Sequence, residues 1–281
     1  MPASAIPAHR PELPRYQETA PSPALTRWVA SYWTIRATGA PPVLNRVLPD
    51  GCVDVIVGLV DEPRAHVIGA MRTAVVVPLT GAVDLFGIRF RPGAALPFLD
   101  APLSGLTDRR VPLDELWGGV GATLACAISS ATSTVERVAL VERILLQRLP
   151  AWADDRRGDE SLAAEAVRLM TDGRSAVRVS QLALALGVGE RRLERAFHRS
   201  VGLTPKFLGR VLRFRRAVRA IERRCGGGVP IAWSGVAFDA GYADQSHLIR
   251  EFRQLAGVTP VQFAGEHSTV AFVQDDGMDV V

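Results

Sequence analysis

Between Trp28 and Gly93 the apolar residues fall into short β-branched runs, SYWTIRAT, NRVLPDGCVDVIVGL, HVIGAM, TAVVVPL and VDLFGIRFRPG, divided by Pro, Gly and Asp-Gly punctuation. Runs of that length predict strands, and the turn residues between them predict an antiparallel sheet or a small barrel. Past Gly93 the spacing lengthens. AALPFLDAPLSGLTD and VPLDELWGG read as short helical pieces interrupted by proline. Ser133 and Glu136 then form a capping box ahead of Val135, Val138, Val141, Ile144, Leu145 and Leu149, an apolar stripe at helical period that stops at Pro150. Such a stripe suits core packing first and a seam between two copies second. Roughly the first 25 residues, rich in proline, are expected to be loosely held.

The stretch AWADDRRGDE is charged and poor in large apolar side chains. It marks a linker at 153–160 between an N-terminal domain, 1–152, and a C-terminal domain, 161–266, followed by a tail at 267–281. Beyond it the chain reads as helix, beginning with an amphipathic segment from Ser161 to Met170 that closes on Asp172-Gly173. One layout then occurs twice. In the first copy, Val179–Pro205, residues Val179, Leu182, Ala183 and Leu186 make one apolar stripe, and Gly187 supplies a turn. A second helix from about Glu190 directs Leu193, Ala196, Phe197 and Val201 inward. The second copy, Ile231–Pro260, repeats this with Val236, Ala237 and Ala240, then Gly241, then Leu248 and Phe252. Both copies end alike, in GLTP and GVTP, and KFLGRVLRFRRAVRAIERR between them is patterned as one helix. The expected fold is α+β, with an N-terminal, mainly antiparallel β domain carrying helices and a C-terminal all-α domain with two helix-turn-helix units.

Charge sharpens this picture. The whole chain is +4, yet residues 156–265 hold nineteen Lys and Arg against ten Asp and Glu, so that this part is +9 and the remainder −5. All but one of the nineteen are arginine, whose planar fork suits phosphates and guanine edges. A helix, a glycine turn and a second helix form the unit whose second helix enters a major groove. In the first copy the outward residues near that helix start are Glu190, Arg191, Glu194 and Arg195; in the second they are Gln245, Ser246, Ile249 and Arg250.

Five motifs go further: LxRxF over Leu193–Phe197, the VGLTP ending, the RxxxA pattern of the connecting helix, AxxxGYxDQSHLxRxF from Ala237 to Phe252, and the closing GVTPxxF. Through them the segment from about Leu162 to Phe263 resembles the DNA-binding domain of the AraC/XylS family of bacterial regulators. That resemblance implies base-facing positions at Arg191, Glu194 and Arg195 and at Gln245, Ser246, Ile249 and Arg250. Arg192 and His247 join them as neighbours, and Arg215 on the connecting helix is the candidate phosphate contact, with Arg213 and Arg216 beside it. Two features depart from the pattern. Gly189 stands where a Ser or Thr cap is common, and Ile249 is apolar, which suits a thymine methyl rather than a hydrogen bond. The segments RVLPDGCVDVIVGL, FGIRFRPGAALPFL and LTDRRVPLDELWG resemble the N-terminal sensor-like domain of one AraC-type subgroup.

The remaining chemistry is sparse. Cys52, Cys126 and Cys225 form no CxxC pair, and His66 and His9 are the only histidines of the first half, so neither a disulfide framework nor a metal site is expected. A nucleophile elbow, a phosphate loop and a Ser, His and Asp set are all missing, which speaks against an enzyme and leaves no cofactor to expect. Asp50, Asp54, Arg89 and Arg91 would suit a polar pocket, but a turn and alternating strand charges account for them equally. The start of the chain has prolines and charges where a signal peptide needs an apolar run, so a cytoplasmic protein without a membrane segment is expected. The expected function is sequence-specific DNA-binding transcription regulation, with an N-terminal domain that senses an effector or dimerises. The alternative is control by a protein partner without a small-molecule ligand. Expected partners are double-stranded DNA, RNA polymerase, a second copy of the chain and a small-molecule effector.

Overall fold

The computed structural model describes residues 13–149, 157–172, 178–225 and 231–269. Strands Arg15–Thr19 (β1), Val29–Val47 (β2), Val53–Gly58 (β3), Arg64–Ile68 (β4), Val75–Phe90 (β5) and Arg110–Pro112 (β6) make one antiparallel sheet in the order β1-β2-β5-β3-β4-β6. Its register carries one apolar rung across five strands, through Tyr32, Ile88, Val55, Val67 and Val111, all of them buried. Successive residues of a strand point to opposite faces, so the next rung, Ser31, Arg89 and Asp54, belongs to the other side.

That other side is enclosed as well. Val47 pairs with Val75 at one end of the β2–β5 ribbon, while Val29 and Val53 both pair with Phe90 at the other end. Six residues from Val47 to Val53 reach about 20 Å at most, whereas a flat β5 would hold those ends ~50 Å apart. The ribbon therefore curls back over the sheet, and the register shifts between Thr38 and Val43 mark the bend. Inside the curl Trp33, Ile35, Ala37, Leu79 and Val83 form a second core. Trp33 lies flat on Gly87, where a Cβ would stand 2.0 Å from its ring, and its Nε1 donates to Asp54 at 2.9 Å.

Helices cover the first face. Leu96–Leu99 (α1), Leu113–Trp117 (α2), Gly119–Ser130 (α3) and Thr134–Arg148 (α4) add Phe98, Leu113, Leu124, Ile128, Val141 and Leu145 to the core around Tyr32 and Ile88. The second half follows as Arg157–Asp172 (α5), Val179–Ala185 (α6), Glu190–Ser200 (α7), Pro205–Cys225 (α8), Trp233–Ala240 (α9), Gln245–Ala256 (α10) and Pro260–Thr269 (α11). It holds two cores. Leu193, Phe197, Leu208 and Leu212 belong to one, and Phe214, Val218, Ile221, Leu248 and Phe252 to the other.

The α+β fold is as expected, with several differences of detail. β2 runs unbroken through Gly39-Ala-Pro-Pro and β5 through Gly81, because the bulged ribbon absorbs residues that the sequence pattern reads as breaks. β1 lies within the stretch expected to be loose and pairs with β2 from Arg15 to Thr19. Ser133 caps α4 by accepting from the Glu136 amide at 3.1 Å, and the Glu136 carboxylate accepts from the Thr132 hydroxyl and amide at 2.8 Å, which together with the Ser133 backbone hold its pKa down. Of the α4 stripe, Val141 and Leu145 are buried and Val135 is exposed, while Pro150 falls outside the described residues. The last residues of the expected linker, 157–160, are the first turn of α5, and 153–156 are not among the described residues.

Gly87→Val should drive a side chain into the Trp33 ring and cost about 3 kcal/mol, whereas Gly39→Val, with nothing within 4 Å of its Cβ, should cost far less. Urea denaturation followed by tryptophan fluorescence checks both.

Candidate nucleic-acid interface

The second helices of the two helix-turn-helix units, α7 and α10, are positioned by the same local device. After α6 the chain turns at Gly187, φ +64°, and after α9 at Gly241, φ +82°, in the left-handed region that favours glycine. The inner faces of α7 and α10 are then fixed by Leu193, Ala196 and Phe197 and by Leu248, Phe252 and Leu255, all buried. Whatever remains on the opposite faces is exposed by default.

On α7 that set includes Arg191, Arg192, Glu194 and Arg195, all exposed. Arg192 lies 3.6 Å from Asp159 of α5, which draws it aside, whereas Arg191 and Arg195 make no ion pair among the described residues. On α10 Gln245, Ser246 and Arg250 are exposed. Ile249 and His247 are half-buried, and the His247 ring stands edge-on to Tyr242 with centroids 5.1 Å apart. Arg215 is elsewhere: at 2% exposure it is buried in the C-terminal core, so its side chain has no open path to a phosphate and the expected contact there is corrected. Its place follows from helical geometry, since Arg215 sits four residues after Val211 and three before Val218 on the buried stripe of α8.

The helix starts differ. Asp244 caps α10 by accepting from the His247 amide at 2.7 Å, while Gly189 precedes α7 without a side-chain cap. α10 is also fastened along its length, because Arg210 of α8 donates to Glu251 at 2.9 Å and to Gln254 at 2.7 Å, and Phe214 meets Phe252 at 4.8 Å. The motif pattern gives no sign of the Arg210–Glu251 pair, since only the fold brings residues 210 and 251 together.

The opposite ends of both α7 and α10 meet the N-terminal domain. Beyond α7, the Gly202 carbonyl accepts from Thr107 Oγ1 at 2.7 Å, and a Cβ on Gly202 would stand 2.8 Å from the Leu103 carbonyl oxygen. At the end of α10, the carbonyls of Leu255 and Ala256 accept from the Ala74 amide at 2.7 Å and from Arg46 Nη1 at 2.9 Å, and Arg46 also pairs with Glu266. Ala70 joins the core of the first unit and Leu48 that of the second. A cation at a helix C-terminus also opposes the negative end of the helix dipole.

Inside the curled ribbon Arg89 stands 3.4 Å from Asp54, 3.6 Å from Glu18 and 3.7 Å from Asp50, with 5% of its side chain exposed. Burial pushes the Asp54 carboxyl up, against the opposing charge of Arg89. Three of the four residues considered for a polar pocket thus come together, while Arg91 donates to the Thr26 carbonyl at 2.8 Å instead. Among the described residues no His, Cys, Asp and Glu cluster is arranged to hold a metal ion, and no helix is long and apolar enough to cross a membrane.

Residues 182–266 match the model of a helix-turn-helix domain, and residues 17–112 that of a domain of unknown function (DUF6597). Among solved structures, a transcriptional regulator with an AraC-type DNA-binding domain from Chromobacterium violaceum is 22% identical, over 40% of this chain and 97% of its own, with a TM-score of 0.35. ToxT from Vibrio cholerae is 11% identical over 89% of this chain and 98% of its own, with a TM-score of 0.42. The same protein with an unsaturated fatty acid bound is 10% identical over 94% of this chain and 100% of its own, with a TM-score of 0.41. No curated protein matches the chain.

Glu251→Ala should strip Arg210 of a charged partner at a part-buried site and cost about 2 kcal/mol. Breaking the exposed Arg168–Glu165 pair by Arg168→Ala should cost far less, because solvent screens both charges. Thermal denaturation followed by circular dichroism compares the two.

Proposed function

We propose, from the premise that the C-terminal domain is a helix-turn-helix domain of the AraC type, that the chain is a sequence-specific DNA-binding transcription regulator whose N-terminal domain sets how two reading helices meet a promoter. The observation that carries this is the pair of glycine-turned units on one continuous helix, each with polar side chains exposed at the start of its second helix. α8 has 21 residues. At 1.5 Å per residue it is about 31 Å long, close to the ~34 Å between successive major grooves on one face of a duplex. α7 and α10 then read two neighbouring grooves. The binding site is an asymmetric pair of boxes about 10 base pairs apart, because Arg191, Glu194 and Arg195 face one groove and Gln245, Ser246, Ile249 and Arg250 the other.

Regulation enters through the far ends of the same helices. The N-terminal domain touches the end of α7 through Thr107 and the end of α10 through Arg46 and Ala74. An effector bound by that domain, or a second copy of the chain docked on it, changes both contacts together and thereby the pose of both helices. On promoter DNA the chain then acts on RNA polymerase.

Binding sites selected from random DNA test this reading. Arg195→Ala should relax base preference in one box and Arg250→Ala in the other, each at about 1–3 kcal/mol. Uniform loss of affinity with an unchanged motif in both variants would instead make these side chains phosphate contacts. Wild-type affinity should also fall steeply between low and physiological salt as counterions are released, and a flat dependence in a filter-binding series argues against duplex binding through these arginines.

A further inference from the structure

The N-terminal domain touches the ends of α7 and α10 through two stretches of chain that are tied to each other. Residues 69–74 leave β4 and residues 103–109 lead into β6, and these strands are paired, Ile68 against Arg110. The first stretch reaches α10, where the Ala74 amide donates to the Leu255 carbonyl at 2.7 Å, and it places Ala70 in the core of the first unit with Leu193 and Phe197. The second reaches the end of α7, where Thr107 Oγ1 donates to the Gly202 carbonyl at 2.7 Å. Arg46, which meets the Ala256 carbonyl from β2, stands outside both stretches.

Asp108 ties the two stretches together. Its amide donates to the Ala70 carbonyl at 3.1 Å, and its carboxylate accepts from the Arg72 amide at 2.7 Å and from Arg72 Nε at 2.5 Å. It meets these partners from the left-handed region, at φ +57°, which few residues other than glycine adopt and Asp tolerates better than most. The ion pair contributes little, because the Arg72 side chain is largely exposed. The bond from the Arg72 amide is of the stronger kind, since its acceptor is charged, and it lies two residues before Ala74. We propose that Asp108 is a positioning residue that makes one block of the two stretches, so that a displacement at the end of α7 is carried through the N-terminal domain to the end of α10. The inference rests on the DNA-binding reading for its purpose and not for its geometry. α8 already joins the two units through their cores. The route through Asp108 joins them from the side on which an effector or a second copy of the chain would act.

Hydrogen exchange of the full chain, read by mass spectrometry without DNA, tests this, because local opening at a helix end is what exchange reports. Gly202→Ala supplies the push: its Cβ would stand 2.7 Å from Thr107 Oγ1 and 2.8 Å from the Leu103 carbonyl oxygen, so residues 103–109 must shift. In an otherwise wild-type chain the push should raise exchange several-fold at both 198–204 and 252–258. Asp108→Gly keeps the left-handed backbone and removes only the carboxylate. In that background the push should raise exchange at 198–204 alone. Asp108→Asn, which keeps an oxygen to accept from the Arg72 amide, should restore the response at 252–258. Residues 53–58, in β3, serve as the control for the fold and should exchange as in wild type throughout. Thr107→Val, which only deletes the bond to Gly202, gives a milder push should Gly202→Ala disturb the control. A response at 252–258 that is the same with Asp, Gly or Asn at 108 would mean that α8 carries the coupling, and the proposal would be wrong. It would be wrong as well if 252–258 never responds, or if Asp108→Gly alone loosens the control strand. Since no duplex is present, these outcomes hold whether or not the chain binds DNA, and failure to bind a selected duplex counts against the DNA-binding reading only.

Discussion

The C-terminal half depends on α8 being core to two units at once. Leu208 and Leu212 near its start are buried with Leu193 and Phe197, and Phe214, Val218 and Ile221 further on with Leu248 and Phe252. Most helical stability in a protein comes from tertiary packing; here each end is held by a different hydrophobic core. Neither unit can rotate against α8 without exposing apolar surface, at roughly 25 cal/mol per Å². The separation of the two reading helices is therefore a property of the packing rather than of a tether.

The second constraint comes from the N-terminal domain, which holds both reading helices at the ends away from their exposed polar starts. Gly202 shows how closely. It ends the first unit with φ +81°, and the approach of Leu103 and Thr107 leaves no room for a side chain. One residue thus serves a turn within the helical domain and a junction between domains. On the sheet side the same economy appears at Gly87, which gives Trp33 a flat seat and so aims its indole at Asp54.

Much of the reading surface was legible in the chain itself. The apolar stripes of α7 and α10 and the glycines before them determine which side chains face out, and Arg191, Arg195, Gln245, Ser246 and Arg250 are found exposed as the periodicity implies. Arg215 carries the charge of a phosphate contact, but its spacing from Val211 and Val218 places it on the buried stripe. α3 has no clear signature in the sequence, because GVGATLACAISS carries neither a capping side chain nor a charged face. The length of β2 and β5 is hidden in the sequence because glycine and proline signal turns in isolation, whereas a bulged ribbon accommodates them. The contacts of Arg46, Thr107 and Arg210 join residues far apart in sequence, and no local pattern encodes such pairs.

The unequal caps of the reading helices have a consequence in time. A side-chain cap contributes about 1 kcal/mol to the end of a helix relative to alanine, and glycine recovers most but not all of it. The first turn of α10, held by Asp244, is thus the more persistent of the two, and the first turn of α7, begun by Gly189, opens more often. On the proposed reading an encounter with a duplex then has an order: one reading head arrives formed, and the other finishes winding in the groove, so that the dwell on a site depends on whether the sequence there lets the second head close.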